Sequence, residues 1–145
     1  MKISTKGRYA LRLMLDLAVN SRGNAVPLRD VAERQEISDK YLEQIVTQLS
    51  RAGLVRSVRG AGGGYLLTRV PEEYAVGEIL RVLEGKLAPV SCADGAACCA
   101  RADRCVTLEV WQQIQAAVSG VVDNITLADL VRRFYEKCPD EVKAE

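Results

Sequence analysis

The spacing of apolar residues changes character at Gly53, and that change constrains the fold more than any other feature of the chain. Before it, apolar residues recur with helical spacing. Tyr9, Leu13 and Leu17 stand four residues apart with Ala10, Met14 and Ala18 beside them, which predicts a helix over 6–20. Ser-Arg-Gly-Asn at 21–24 marks a turn. Pro27 opens a short second helix through about Gln35, with Leu28, Val31 and Ala32 inward. Ser38 is suited to cap a third helix, 39–51, whose core face is Leu42, Ile45, Val46 and Leu49. After Gly53 two short strands are expected, 54–58 and 65–68, joined by Arg59-Gly-Ala-Gly-Gly-Gly64. Three helices followed by a hairpin is the order of a winged helix-turn-helix, so the fold class expected is mainly α with a small β-hairpin wing.

The second half returns to helical spacing. Val76, Ile79, Leu80 and Leu83 predict a helix over 76–84. A long helix is expected from Val106 to about Asp123. Its apolar positions Val106, Val110, Ile114, Val118 (with Ala117) and Val121 are spaced like a seam for a partner helix. Asn124-Ile-Thr126 breaks the pattern, and Thr126 can cap a last helix, Leu127–Lys137. The organisation expected is therefore a winged helix-turn-helix domain at 1–70, a connecting helix and cysteine-rich loop at 71–105, a dimerisation helix and C-terminal helix at 106–137, and a polar tail at 138–145.

Charge divides along the same line. The net charge is +1, yet residues 1–69 hold 12 Lys and Arg against 6 Asp and Glu, and the remainder is acidic. A basic N-terminal half suits a polyanion such as double-stranded DNA. The wing is the natural place for it. The glycine run does not match a phosphate-binding P-loop, because Tyr65-Leu-Leu follows where Lys, Ser or Thr and a helix would be needed. Glycines instead let backbone approach a groove, with Arg56 and Arg59 beside them, and an arginine at a wing tip suits a narrow minor groove. On the third helix Asp39, Lys40, Glu43, Gln44 and Thr47 face outward and can reach bases or phosphates. The candidate DNA contacts are Ser38, Lys40, Tyr41, Glu43, Gln44, Arg56, Arg59 and Gly60.

Four of the five cysteines, Cys92, Cys98, Cys99 and Cys105, fall in one polar stretch just before the long helix. No apolar run reaches membrane-spanning length, and the opening residues lack the features of a signal peptide, so a cytoplasmic, non-membrane protein is expected. Structural disulfides are rare in that compartment, which leaves ligand or redox roles. Iron–sulfur clusters take mostly thiolate ligands. Zinc sites favour closer cysteine pairs, and a thiol–disulfide switch needs only two of the four. A cluster is the favoured reading. Cys98 and Cys99 are adjacent, so one is a spare. The fourth ligand is open among Asp94, Asp103, Glu109, Cys138 and a group from a second subunit, because the chain has no histidine. That lack also removes the usual Ser–His and Cys–His nucleophile pairs, and no enzyme is expected.

Three segments carry a resemblance: Met1–Met14, Ser38-Asp-Lys-Tyr-Leu-Glu-Gln-Ile45, and Gly53-Leu-Val-Arg-Ser-Val-Arg-Gly-Ala-Gly-Gly-Gly-Tyr65. Together with Asn124-Ile-Thr-Leu-Ala-Asp-Leu130 they closely resemble the bacterial Rrf2 (Rrf-two) family of winged-helix regulators. The resemblance implies a homodimer joined by the long helix. It implies a recognition helix with Lys40 and Glu43 near bases, and Arg59 as the wing arginine. The three-cysteine loop matches IscR-like members, implying an iron–sulfur cluster (2Fe-2S favoured, 4Fe-4S possible) held by Cys92, Cys98 (or Cys99) and Cys105. The chain departs from that branch in having Leu108 where those members carry a histidine, and from NsrR-like members in having Arg8 where some carry an acidic ligand. The alternative is a CymR-like repressor of cysteine or sulfur metabolism, controlled by a protein partner or thiol redox without a cluster. In the favoured reading the cluster's state repositions the long helix relative to the DNA-binding domains.

Overall fold

The computed structural model describes residues 1–94 and 99–143. Among these residues, six α-helices and one antiparallel hairpin run in the order α1 (Thr5–Asn20), α2 (Leu28–Gln35), α3 (Asp39–Arg51), β1 (Val55–Val58), β2 (Gly64–Leu67), α4 (Val76–Glu84), α5 (Val106–Val122) and α6 (Leu127–Lys137), with short 3-10 turns at 71–73, 91–93, 102–104 and 139–143. This is the winged helix-turn-helix order expected, with a long helix appended.

Three of these helices begin on a local side-chain cap. The Ser4 hydroxyl accepts from the Gly7 amide at 3.2 Å, and the Ser38 hydroxyl accepts from the Tyr41 amide at 3.3 Å, so each satisfies a first-turn donor that the helix cannot. Thr126 and Asp129 form a reciprocal capping box on α6. Between α2 and α3, Glu36 adopts a left-handed conformation (φ 54°), which makes the turn tight.

The core gathers Leu13, Met14 and Leu17 of α1, Val31 of α2, and Leu42, Ile45, Val46 and Leu49 of α3, with Leu54, Val55, Tyr74, Ile79 and Leu127, all buried. α4 and α6 return across the molecule to pack on α1, so the second half of the chain completes the core of the first. A smaller apolar cluster of Val76, Leu80 and Leu87 receives Val118, Val122 and Ile125.

Two expectations need correction. The strands lie one residue off those read from the sequence: Val58 pairs with Gly64 and Val55 with Leu67, leaving Leu54 and Thr68 as the base of the hairpin. Gly64 belongs to the sheet because Tyr65 also pairs with Val26 in an isolated bridge, and a Cβ on Gly64 would sit 2.2 Å from the Val26 carbonyl oxygen. The seam on α5 is also narrower than its spacing suggests. Val118 turns into its own chain, whereas Val106, Val110, Ile114 and Val121 remain exposed. No helix among the described residues is long and apolar enough to cross a membrane.

Candidate nucleic-acid interface and cysteine loop

The four buried apolar residues of α3 all fall on one side, so Lys40, Glu43, Gln44 and Thr47 are left on the exposed side. They line an open trough of about 440 Å³ together with Gln48, Arg51 and Lys6. Lys6 comes from α1, a position the spacing on α3 could not indicate. Thr47 turns its hydroxyl back onto the Glu43 carbonyl at 2.6 Å, which leaves Lys40, Glu43 and Gln44 as the reach of this face. Tyr41 is half-buried, its ring set edge-on to Tyr9 at 5.7 Å, and Arg12 lies over the Tyr9 ring at 5.3 Å. Ser38 is spent on its cap.

Arg56, Arg59 and Gly60 are exposed on the hairpin. Gly60 and Gly62 sit at φ 94° and 74°, which non-glycine residues rarely adopt, and the Gly63 amide closes the turn onto the Gly60 carbonyl at 2.9 Å. The wing tip is thus narrow and free of bulk around Arg59.

Cys92 is half-buried on the 3-10 turn at 91–93, which packs against α5, and Cys105 is the half-buried N-cap residue of α5. Cys99 is exposed. Cys98 lies outside the described residues. The described cysteines are all free thiols. Cys105 donates to or accepts from the Thr107 hydroxyl at 3.3 Å. Its thiol is drawn below the ordinary cysteine range, first by that hydroxyl, then by the Leu108 amide, with Arg101 adding a favourable charge. An open cavity of about 420 Å³ beside it is lined by Arg101, Arg104, Cys105, Val106 and Thr107.

The other candidate ligands are dispersed. Asp94 is committed elsewhere: it forms an ion pair with Lys86 and accepts from Gln115 at 3.1 Å, and these partners, Lys86 foremost, hold its carboxyl below the usual range. Asp103 and Glu109 are exposed, and Cys138 ends α6. No three Cys, Asp or Glu side chains among the described residues are gathered to hold a metal ion. In donor chemistry the loop nonetheless fits an iron–sulfur cluster. It offers thiols, with no histidine anywhere in the chain, and at Cys105 loss of the thiol proton is made easier.

The family model described as Rrf2, iron-dependent transcriptional regulator, matches residues 3–133. The HTH-type transcriptional regulator IscR of Serratia proteamaculans is 45% identical over 131 residues, spanning 90% of this chain and 79% of that one. Among solved structures, T. potens IscR superposes with a TM-score of 0.77 at 42% identity, covering 94% of this chain and 90% of its own. CymR, the global cysteine regulator of B. subtilis, superposes with a TM-score of 0.76 at 42% identity, covering 92% and 98%. These relatives are regulators of transcription rather than enzymes. A winged helix-turn-helix whose core is completed by the second half of the chain, matched over nearly its whole length, places this chain in the Rrf2 family of transcriptional regulators.

Proposed function

We propose that the chain acts as a homodimer on a roughly palindromic duplex, each copy laying α3 in a major groove and reaching the adjacent minor groove with Arg59. The observation that carries this reading is the open trough lined by Lys6, Lys40 and Arg51 together with Glu43 and Gln44: cations able to meet phosphates share one face with groups able to read base edges. Ser38 and Tyr41 shape the entry of α3, and Arg56, Arg59 and Gly60 form the wing contact. The second copy is supported by α5, a helix of 17 residues with no buried residue in the single chain. A helix that apolar, left open to water, calls for a partner helix.

The loop would hold an iron–sulfur cluster through Cys92, Cys105 and one of Cys98 and Cys99, the fourth ligand coming from elsewhere. When bound, such a group supplies a centre that depends on iron and sulfide supply and is sensitive to oxidants. The chain's own part is mechanical. Cys92 rides on the turn packed against the flank of α5, and Cys105 begins that helix, so ligation of both ties the loop to the dimer helix at two places.

The second reading is CymR-like control by a protein partner or thiol redox, favoured by the close superposition on CymR. Purification without oxygen, with a visible spectrum and iron and sulfide analysis, separates the two. Matched iron and sulfide, lost on Cys92→Ala and Cys105→Ala, supports the cluster. A protein that stays colourless after reconstitution yet enriches a duplex from a randomised pool overturns it in favour of the second reading. Failure of the wild-type protein to enrich any duplex overturns the DNA-binding reading.

A further inference from the structure

Tyr74 lies between the wing and the corner that joins α5 to α6. Its ring is fully buried, yet its hydroxyl is saturated with partners. It donates to the Leu54 carbonyl at 2.7 Å and accepts from the Thr68 and Arg69 amides at 2.9 and 3.0 Å, with the Thr68 hydroxyl at 3.1 Å. Leu54 is the residue before β1 and Thr68 the residue after β2, so one hydroxyl pins both legs of the hairpin. The Thr68 hydroxyl reinforces this by donating to the Gly53 carbonyl at 2.7 Å. The Arg69 guanidinium closes over the tyrosine ring at 4.3 Å and is anchored to Glu78 of α4 at 2.7 Å.

The backbone of the same residue faces the other way. The Tyr74 carbonyl accepts from the Leu127 amide at 2.9 Å, and the Val76 amide donates to the Ile125 carbonyl at 2.8 Å, so 74–76 pairs with 125–127 as an isolated antiparallel bridge at Ala75 and Thr126. Three residues before Thr126, Asp123 takes the fork of Arg81 from α4. The end of α5 is therefore fastened to the segment that carries Tyr74.

We propose that Tyr74 is a positioning residue that sets the angle of the wing from the α5–α6 corner, its hydroxyl holding the hairpin base and its backbone holding the corner. A hairpin of four-residue strands gripped at its base acts as a lever, so a small change at the grip is magnified at the Arg59 tip. A phenylalanine would fill the core equally well but would leave the Leu54 carbonyl and the Thr68 and Arg69 amides without their common partner. This inference rests on the reading of Arg59 as a DNA contact.

The test is a double-mutant cycle on a duplex selected by the wild-type protein from a randomised pool. Tyr74→Phe, Arg59→Ala and the double variant are titrated with it, and each is melted to confirm folding. Tyr74→Phe is expected to weaken binding about tenfold in the wild-type background and less than about twofold in the Arg59→Ala background, the signature of two residues acting as one unit. Losses that multiply independently overturn the role of Tyr74 and leave the wing contact standing. Arg59→Ala that binds like wild type overturns the wing contact, and the inference with it. Should Tyr74→Phe not fold, Thr68→Val removes a hydroxyl from the same grip, and the same pattern is required of it. Amide exchange gives an independent reading: in Tyr74→Phe the Thr68 and Arg69 amides exchange faster while that of Leu127 does not, and equal rates at all three count against the grip.

Discussion

Glu84, the last residue of α4, holds the first turn of α1 through Ser4: one carboxylate oxygen accepts from the Ser4 amide at 3.1 Å, from the Ser4 hydroxyl, and from the Gly7 amide at 3.1 Å. A negative group at a helix N-terminus satisfies orphan donors and opposes the helix dipole. It also joins the element that leads into the cysteine loop to the element that carries Lys6.

The Gly7 position makes this arrangement testable. A Cβ there would lie 2.2 Å from the same Glu84 oxygen, so Gly7→Ala must push the carboxylate off its donors. Glu84→Ala should lower stability by about 1–2 kcal/mol, the scale of a lost cap. Gly7→Ala alone should also destabilise. In the Glu84→Ala background the sign should reverse, because only the helix propensity gain of alanine, up to about 1 kcal/mol, remains. Urea unfolding of the four proteins measures this, and a Gly7→Ala effect equal in both backgrounds would refute the clash.

How much of this was legible beforehand depends on whether the signal was local. The helices at 39–51, 76–84 and 127–137 follow from apolar spacing and from Ser38 and Thr126 as caps, which are properties of neighbouring residues. The place of Gly64 in the sheet was not legible, because what demands a glycine there is the close approach of Val26, which is far away in sequence. Lys6 joins the trough on α3 only once α1 is packed beside it. The cap from Glu84 and the grip of Tyr74 are likewise tertiary: each residue looks ordinary until the fold brings donors to it. On α5 the spacing showed an apolar helix but not which apolar residues its own chain would claim, and Val118 went inward.

Asp16 illustrates a second hidden relationship. Its side chain is 1% exposed and accepts from Arg34 at 2.7 and 3.1 Å and from Gln35 at 2.9 Å. Removing the guanidinium strands a buried carboxylate, so Arg34→Ala is expected to cost about 2 kcal/mol or more, reduced from the fully buried case because Arg34 is itself partly solvated. Urea unfolding decides, and a loss below about 0.5 kcal/mol would mean that water compensates Asp16.

Acid should loosen the corner between α5 and α6. Hydrogen bonds from Arg81 hold the Asp123 carboxyl below its ordinary value. A depressed value in the folded state means that this contribution is fully present above the unfolded carboxylate pKa and is lost as pH falls through the folded one. The melting-temperature gap between wild type and Asp123→Asn should therefore hold steady from about pH 7 to 5 and close below about pH 4. A gap that persists at low pH would place the effect elsewhere. Both partners are exposed, so the gap itself will be modest.

Dimerisation is expected to depend on the exposed stripe of α5. Val110 and Ile114 stay 50% and 38% exposed in the single chain. Glutamates at both positions place charge on a face that must be desolvated to meet a partner helix, at sites exposed in the single chain. Sedimentation should show the wild type as a dimer and Val110→Glu/Ile114→Glu as a folded monomer. A variant that remains dimeric would move the interface off this stripe.

The trough on α3 mixes two kinds of group, and they should fail in different ways. Lys6, Arg51 and Glu43 all line the trough; in the proposed reading the two cations meet phosphates without reading sequence, whereas Glu43 reads a base edge. Each lost phosphate contact lowers the salt dependence of binding by about one unit of slope and weakens all sequences alike. Lys6→Ala and Arg51→Ala should show that uniform loss on a selected duplex and on its single-base variants. Glu43→Ala should leave the slope unchanged or steeper, since a carboxylate repels phosphate, while relaxing the preference at one base pair by about 1–3 kcal/mol. Binding curves over a salt series for the three variants separate these outcomes. Loss of base preference in Lys6→Ala, or a uniform loss in Glu43→Ala, would reverse the assignment and put the reading edge of the helix nearer α1.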